Sequence, residues 1–269
     1  MGDAQVATEK AQLKDPFSVD GKVTIVTGGG TGIGASIARE FAARGAPVLI
    51  ASRRAAHLEP VRDEIRRAGG QCEMTVTDVR DAAACDAMVA AAVAAFGRLD
   101  VLINNHGASI ASPSRDITPN GWKAVVEINL GGTFFASRAA AAQFIAQGGG
   151  GTIINLSSLA GILGSAAMAS YGASKAGVIN LTISHAAEWG EHGIRVNCIA
   201  PGPIETPGAG ERTWPNDHVR NTVIRSRALG RMGRVEEVAM PCLFLASDAA
   251  SYISGTVLTV DGGAAPRYR

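Results

Sequence analysis

The sequence predicts an α/β fold: a single doubly wound domain in which a seven-stranded parallel sheet is flanked by helices. Three observations carry this. Short apolar runs alternate with helical patterns from residue 22 to residue 260. Most runs are almost continuously apolar, as strands are when both sheet faces are covered. No Pro/Ser-rich linker and no repeat of fixed period interrupts the alternation, so 269 residues form one large domain.

Each element has its own signal. Residues 22–27 are a β-branched run between glycines and read as the first strand. In residues 32–44, Ile33, Ile37 and Phe41 recur at i, i+4 and i+8, the apolar face of a helix. Residues 47–52 are the second strand, and 57–68 a helix stopping before Gly69 and Gly70. A third strand at 71–77, an Ala-rich helix at 81–96 and a fourth strand at 99–104 follow. One long helix is expected over 122–147, ended by the glycines 148–151, with a fifth strand at 152–156. A helix at 171–192, a sixth strand at 195–199, a helix at 235–247 and a seventh strand at 256–260 complete the pattern. Residues 1–20 read as a loose arm reaching a neighbouring subunit, 21–263 as the domain and 264–269 as a tail.

Composition narrows the function. A 46% apolar and 18% charged chain can bury a core and is not disordered. A net charge of +1 and 5% aromatic residues argue against a nucleic-acid surface. The four cysteines (Cys72, Cys85, Cys198, Cys242) have no CxxC or metal-ligand spacing and read as reduced, buried thiols. No metal motif is present. The first residues lack a signal peptide's apolar core, and no run of about 18 apolar residues could span a membrane. The expectation is a soluble cytoplasmic protein without membrane or nucleic-acid partners. The 33 glycines are either linkers or points where backbone must approach a ligand closely.

The first strand runs into TGGGTGIG, residues 27–34, which opens a helix. Gly28, Gly32 and Gly34 let backbone N–H groups approach a pyrophosphate at the helix N-terminus, with Thr31 and Ile33 between them. No Gly-Lys-[Ser/Thr] closes the motif, so it is not a P-loop. The second strand ends in Ser52 followed by Arg53 and Arg54, where a ribose-binding carboxylate is common. A 2′-phosphate meets no repelling acid there and can pair with Arg53, which favours NADP(H), with NAD(H) as second choice.

In YGASK, Tyr171 and Lys175 stand at i and i+4 on one helix face. An ammonium beside a phenol lowers the phenol pKa, and such a Tyr can exchange a proton with an alcohol or carbonyl. Ser158, in NLSS, ends the fifth strand at the carboxyl edge, where ligands bind in this architecture.

With these motifs together, the chain resembles the short-chain dehydrogenases/reductases over about residues 20–263, including NNHG at 104–107, EINLGGTF around Asn129, PGPIET at 201–206 and DGG at 261–263. The resemblance implies a Rossmann-type fold, a nicotinamide dinucleotide, and a small carbonyl or alcohol substrate, thioester-linked ones included. It implies Ser158, Tyr171, Lys175 and Asn129 as the catalytic set, with Asn129 distorting its helix and holding a water that relays protons to Lys175. Asp78 would bind the adenine amino group, Val79 would pack the ring, and Asn105 would contact the adenosine-side ribose. Tyr171 also counts among the cofactor contacts. Lys175 would hold the nicotinamide ribose, and Pro201, Gly202, Ile204 and Thr206 the carboxamide. A homotetramer is the expected assembly.

His106 stands where the family usually has Ala. It either narrows the pocket and meets substrate or is a tolerated loop residue. The resemblance implies a variable substrate lid over about residues 207–234, which carry six arginines against Glu211 and Asp217. That charge would suit an anionic carrier such as CoA or phosphopantetheine, or be merely solvated. Trp214 and Val219 could wall an apolar pocket. NGW (120–122), AAEWG (186–190) and PGPIETPGA are also similar to dienoyl-CoA reductases, which often lack the Tyr of YxxxK. The retained Tyr171 favours ketone/alcohol chemistry, with enoyl- or 2,4-dienoyl-CoA reduction as the alternative.

Overall fold

A computed structural model describes residues 15–206 and 216–264. Its strands are β1 (Thr24–Thr27), β2 (Val48–Ser52), β3 (Cys72–Val76), β4 (Val101–Asn104), β5 (Gly151–Leu156), β6 (Ile194–Pro201), β7 (Ile204–Glu205), β8 (Gly233–Arg234) and β9 (Val257–Val260). Seven of them form one sheet in the order β3-β2-β1-β4-β5-β6-β9, while β7 and β8 pair separately. Every pairing in the large sheet is parallel. The order reverses between β1 and β4, so a crevice opens there at the carboxyl edge.

The helices are α1 (Gly32–Ala42), α2 (Ala55–Arg67), α3 (Ala82–Phe96), α4 (Pro119–Val126), α5 (Gly132–Gln147), α6 (Ala160–Leu163), α7 (Ala169–Trp189), α8 (Asp217–Arg225) and α9 (Glu236–Ala246). Alternation along the strands splits the core between the two sheet faces. Val26, Ile50, Ile103, Ile154 and Ile199 meet α1, α2 and α9 around Phe41. Ile25, Leu49, Leu102 and Ile153 meet α3 and α5 around Met88 and Phe144. Phe41 and Phe144 are fully buried, each worth roughly 1.5–3 kcal/mol of burial.

Strand and helix ends differ from the sequence reading by one to three residues, as terminal turns usually do. Three departures are larger. The single helix expected over 122–147 starts at Pro119, with the Thr118 hydroxyl accepting from the Gly121 N–H at 3.0 Å. It is then interrupted by a π-helical turn, Glu127–Gly131. The short α6, the α8 helix and the β7/β8 pair carry too few residues for a periodic signal. The described part of the arm docks on its own domain: Val19 is fully buried, Phe17 packs tilted against Phe244 with ring centroids 6.3 Å apart, and Ala249 N–H donates to the Pro16 carbonyl at 2.7 Å. Residues 1–14 of the arm and 265–269 of the tail lie outside the described residues.

A polar ladder crosses the sheet beside the crevice. Asn104 and Asn155 stand opposite each other in β4 and β5. Asn104 Nδ2 donates to Ser137 Oγ of α5 and to Asn155 Oδ1, each at 2.9 Å. Asn155 Nδ2 donates to Thr182 Oγ1 of α7 at 2.9 Å. Helices α5 and α7, which pack on the same face of the sheet, are thereby set in register. Asn155→Leu strands buried groups at both ends and is expected to cost roughly 2–4 kcal/mol. Urea unfolding measures this; an unchanged midpoint contradicts the ladder's role.

Candidate active site

Parallel strands deliver their last residues to one edge, and the candidate residues gather there. The loop after β1 turns with Gly28 at φ +65°, a conformation side chains disfavour. A Cβ on Gly34 would stand 2.3 Å from the Gly28 carbonyl oxygen and 2.4 Å from Asn105 Nδ2, so helix α1 can close on the loop only with glycine there. Helix α1 has no side-chain cap from Thr31 and no acidic residue in its first turn. Its first N–H groups and positive end therefore point into the cradle unneutralised, which fits a pyrophosphate. Ile33 packs against the core and holds the helix down.

At the far end of β2, Ser52 Oγ hydrogen-bonds within the turn to Arg54. Arg53 is exposed. Asp78 is held by Arg80, whose Nε lies 3.0 Å from Oδ1. The Arg80 hydrogen bonds, reinforced by the charge of Arg53, keep the Asp78 carboxyl below its usual pKa. Val79 is only 7% exposed and packs in the core. Asn105 Nδ2 donates to the Thr27 and Gly28 carbonyls at 3.1 and 3.3 Å. Its amide nitrogen braces the loop.

On the other side of the crevice, Ser158 follows β5 and Tyr171 opens α7. The structure brings the two hydroxyls into hydrogen-bonding range. Lys175 is buried and donates from Nζ to the Leu156 carbonyl at 2.7 Å. Burial pulls its pKa down to about 8. Its Nζ lies 5.9 Å from the Tyr171 ring centre. Here the expectation that Lys175 depresses the Tyr171 pKa is corrected: burial raises it, and only the Ser158 hydrogen bond opposes that rise.

Asn129 sits in the π turn, the helix distortion expected of it. Its Nδ2 donates to the Ala108 carbonyl and to Ser174 Oγ, both at 2.9 Å, and its Oδ1 accepts from Ala108 N–H at 2.8 Å. Ser174 Oγ donates in turn to the Tyr171 carbonyl at 2.7 Å. A Cβ at Gly107 would lie 3.3 Å from Asn129 Oδ1 and 3.5 Å from Lys175 Nζ, so glycine there leaves room between them. Ser174 and Gly107 were not singled out as site residues, although both lie inside the YGASK and NNHG motifs.

The loop after β6 closes the site. Leu159 N–H donates to the Pro201 carbonyl at 2.9 Å and Gly202 N–H to the Val260 carbonyl at 3.0 Å. A Cβ on Gly202 would collide with Asp261. Ile204 lies in β7, and Thr206 faces Gly32, where a Cβ would be 3.4 Å from its Cγ2. The cradle and the 201–206 loop are therefore adjacent. The lid's cationic character is partly neutralised by residues outside it: Arg220 pairs with Glu205 at 2.9 Å, Arg231 with Glu237 at 2.6 Å and Arg234 with Glu236 at 4.0 Å. Val219 is partly buried; Trp214, Arg212 and Glu211 lie outside the described residues. His106 is buried, 9% exposed; its ring turns into the protein instead of toward substrate.

The four cysteines are buried free thiols. Among the described residues, no helix is long and apolar enough to cross a membrane. No cluster of three metal-ligating side chains occurs among them.

A family model described as Enoyl-(Acyl carrier protein) reductase matches residues 28–265. The chain is 44% identical over 243 residues, 90% of this chain and 96% of the relative, to the Bacillus subtilis (strain 168) protein named "Probable 2,4-dienoyl-CoA reductase". It is 42% identical over 243 residues, again 90% and 96% of the two chains, to cis-4-hydroxycyclohexanecarboxylate dehydrogenase of Sinomonas cyclohexanicum. A solved 7α-hydroxysteroid dehydrogenase, complexed with NADH and 7-oxo glycochenodeoxycholic acid, superposes with a TM-score of 0.87 at 34% identity, covering 92% of this chain and 96% of that one. The chain belongs to the short-chain dehydrogenase/reductase family. It is an oxidoreductase of alcohols and carbonyls that uses a nicotinamide dinucleotide.

The cradle geometry is directly testable. Gly34→Ala forces the loop away from α1 and is expected to weaken nicotinamide dinucleotide binding by at least about tenfold, with far-UV circular dichroism unchanged. Wild-type affinity by fluorescence titration contradicts it.

Proposed function

We propose that this enzyme interconverts a ketone and a secondary alcohol with NADP(H). The observation that carries the reading is the meeting of Ser158, Tyr171 and Lys175 beside the glycine cradle. When bound, the nicotinamide supplies or accepts the hydride. In the reductive direction Tyr171 Oη donates the proton to the carbonyl oxygen, and Ser158 Oγ donates a hydrogen bond that fixes that oxygen. The raised Tyr171 pKa keeps the phenol protonated at neutral pH, the form that reduction needs. Reductive kcat therefore stays level through neutrality and falls only on the alkaline side. Lys175 holds the nicotinamide ribose, and a water in the space beside Gly107 links Asn129 and Lys175 to bulk solvent.

Cofactor contacts follow the same geometry. Gly28, Thr31, Gly32, Ile33 and Gly34 supply the phosphate cradle, and Asp78, Val79 and Asn105 line the adenosine side. Pro201, Gly202, Ile204 and Thr206 meet the carboxamide. Ser52 and exposed Arg53 leave the 2′-position without a repelling acid, which supports NADP(H) over NAD(H).

An apolar carbonyl substrate is supported by Ile162 and Leu163, exposed on α6 directly after Ser158. The local pairing of three lid arginines weakens the case for an anionic carrier. The similarity to the Bacillus subtilis protein favours a second reading, reduction of an enoyl- or 2,4-dienoyl-CoA. NADPH oxidation with ketones against enoyl thioesters separates the two. A homotetramer is supported by Phe134, Ile145 and Ile183, apolar residues exposed on α5 and α7.

Two substitutions test the chemistry. Tyr171→Phe is expected to lower kcat by about 10²–10⁴-fold while NADPH binding is retained; near-full activity refutes the assignment. Arg53→Ala is expected to lower kcat/KM for NADPH about tenfold and leave the NADH value unchanged. Equal effects on both cofactors contradict the 2′-phosphate contact.

A further inference from the structure

The proposed chemistry does not use His106, yet its ring is buried between two parts of the site. On one side, Nδ1 lies 2.8 Å from Thr27 Oγ1, at the last residue of β1 before the glycine cradle. The same hydroxyl oxygen accepts from the backbone N–H groups of Asn105 at 3.0 Å and His106 at 3.3 Å. On the other side, the ring faces the π turn. The Ile128 backbone carbonyl is within hydrogen-bonding range of it, and Nε2 lies 3.5 Å from Thr133 Oγ1. A Cβ on Gly132 would stand 2.9 Å from Nε2, so α5 begins with glycine where the imidazole lies.

A π turn widens the helix and displaces backbone carbonyls from their usual partners. Here side chains reach two carbonyls of the turn. Thr133 Oγ1 donates to the Asn129 carbonyl at 2.7 Å, and the His106 ring faces the Ile128 carbonyl. Burial, and secondarily the charge of Lys175, push the His106 pKa down to about 3. The ring is therefore neutral, and one nitrogen donates while the other accepts. With Nε2 donating toward Ile128, Nδ1 accepts from the Thr27 hydroxyl at 2.8 Å, a shorter contact than that hydroxyl's other acceptor, the Ile103 carbonyl at 3.1 Å.

We infer that His106 is a positioning residue: its imidazole bridges Thr27, at the mouth of the cofactor cradle, to the π turn that aims Asn129. The bridge acts on a short lever. His106 and Ala108 flank Gly107; one is held by its ring on Ile128 and the other by both polar groups of the Asn129 amide. Gly107 between them borders Lys175 Nζ and Asn129 Oδ1. Losing the bridge frees one end of this segment. An alanine cannot make the link, and an apolar side chain of similar bulk fills the space without making it.

The inference rests on the proposed roles of Asn129 and Tyr171, and its test keeps the two apart. His106→Ala, His106→Leu and His106→Gln are compared in the full-length enzyme by steady-state kinetics and by amide hydrogen exchange over residues 125–135. His106→Ala and His106→Leu are expected to lower reductive kcat by at least about tenfold, with little change in KM for NADPH and faster exchange in the π turn. His106→Gln, which can donate and accept, is expected to recover most of kcat and slow exchange. Wild-type kcat and exchange in the Ala and Leu variants overturn the bridge. So does full recovery by Leu, which would leave only space-filling, or failure of Gln to recover anything. Tyr171→Phe is assayed in parallel. Its loss of activity beside unaffected His106 variants overturns this inference alone. Its retention of activity overturns the chemistry, while exchange over 125–135 still decides the bridge.

Discussion

A parallel sheet ends all its strands at one edge, and each ending strand leaves backbone groups without a neighbour. Almost everything in this site follows from how those groups are satisfied. Lys175 donates to the last carbonyl of β5. The Asn105 amide takes the carbonyls of Thr27 and Gly28. The Thr27 hydroxyl takes the N–H groups of Asn105 and His106, and Leu159 N–H takes the Pro201 carbonyl. Side chains held this way cannot drift, so the edge becomes a rigid frame for the groups proposed to meet ligand: the α1 N-terminus, Ser158, Tyr171 and Arg53.

The same constraint explains the division of labour among polar residues. Asn129, Ser174, Asn104 and Asn155 are buried and hydrogen-bonded inside the protein, and their task is placement. Ser158 and Tyr171 keep partly exposed hydroxyls near each other. Burial raises the Tyr171 pKa and lowers that of Lys175 to about 8, which moves the two groups apart and leaves the phenol protonated above the pH at which the ammonium gives up its proton. Such tuning comes from desolvation more than from direct charge contact, since Lys175 Nζ points to the end of β5.

Much of this was legible in the residues. The run into TGGGTGIG placed the cradle because a strand and an amphipathic helix flank it, and Tyr171 and Lys175 share a face because helical spacing demands it. The seven strands were legible because two covered faces leave long apolar runs. Other features had no periodic signal. The π turn at Asn129 adds no residue type that pattern reading detects, so the helix around it read as continuous. The inward turn of His106 depends on Gly132, 26 residues later in the chain, and the neutralised lid depends on Glu205, Glu236 and Glu237 lying outside it.

The glycine cradle, the Ser158–Tyr171 pair and Arg53 make one claim about where a reacting oxygen and a 2′-phosphate lie. A crystal structure with NADP⁺ and a secondary alcohol tests it most directly. The account requires the alcohol oxygen within hydrogen-bonding distance of both Ser158 Oγ and Tyr171 Oη, and the 2′-phosphate against Arg53. An alcohol oxygen bound away from Tyr171, or a 2′-phosphate turned from Arg53 into solvent, would contradict it.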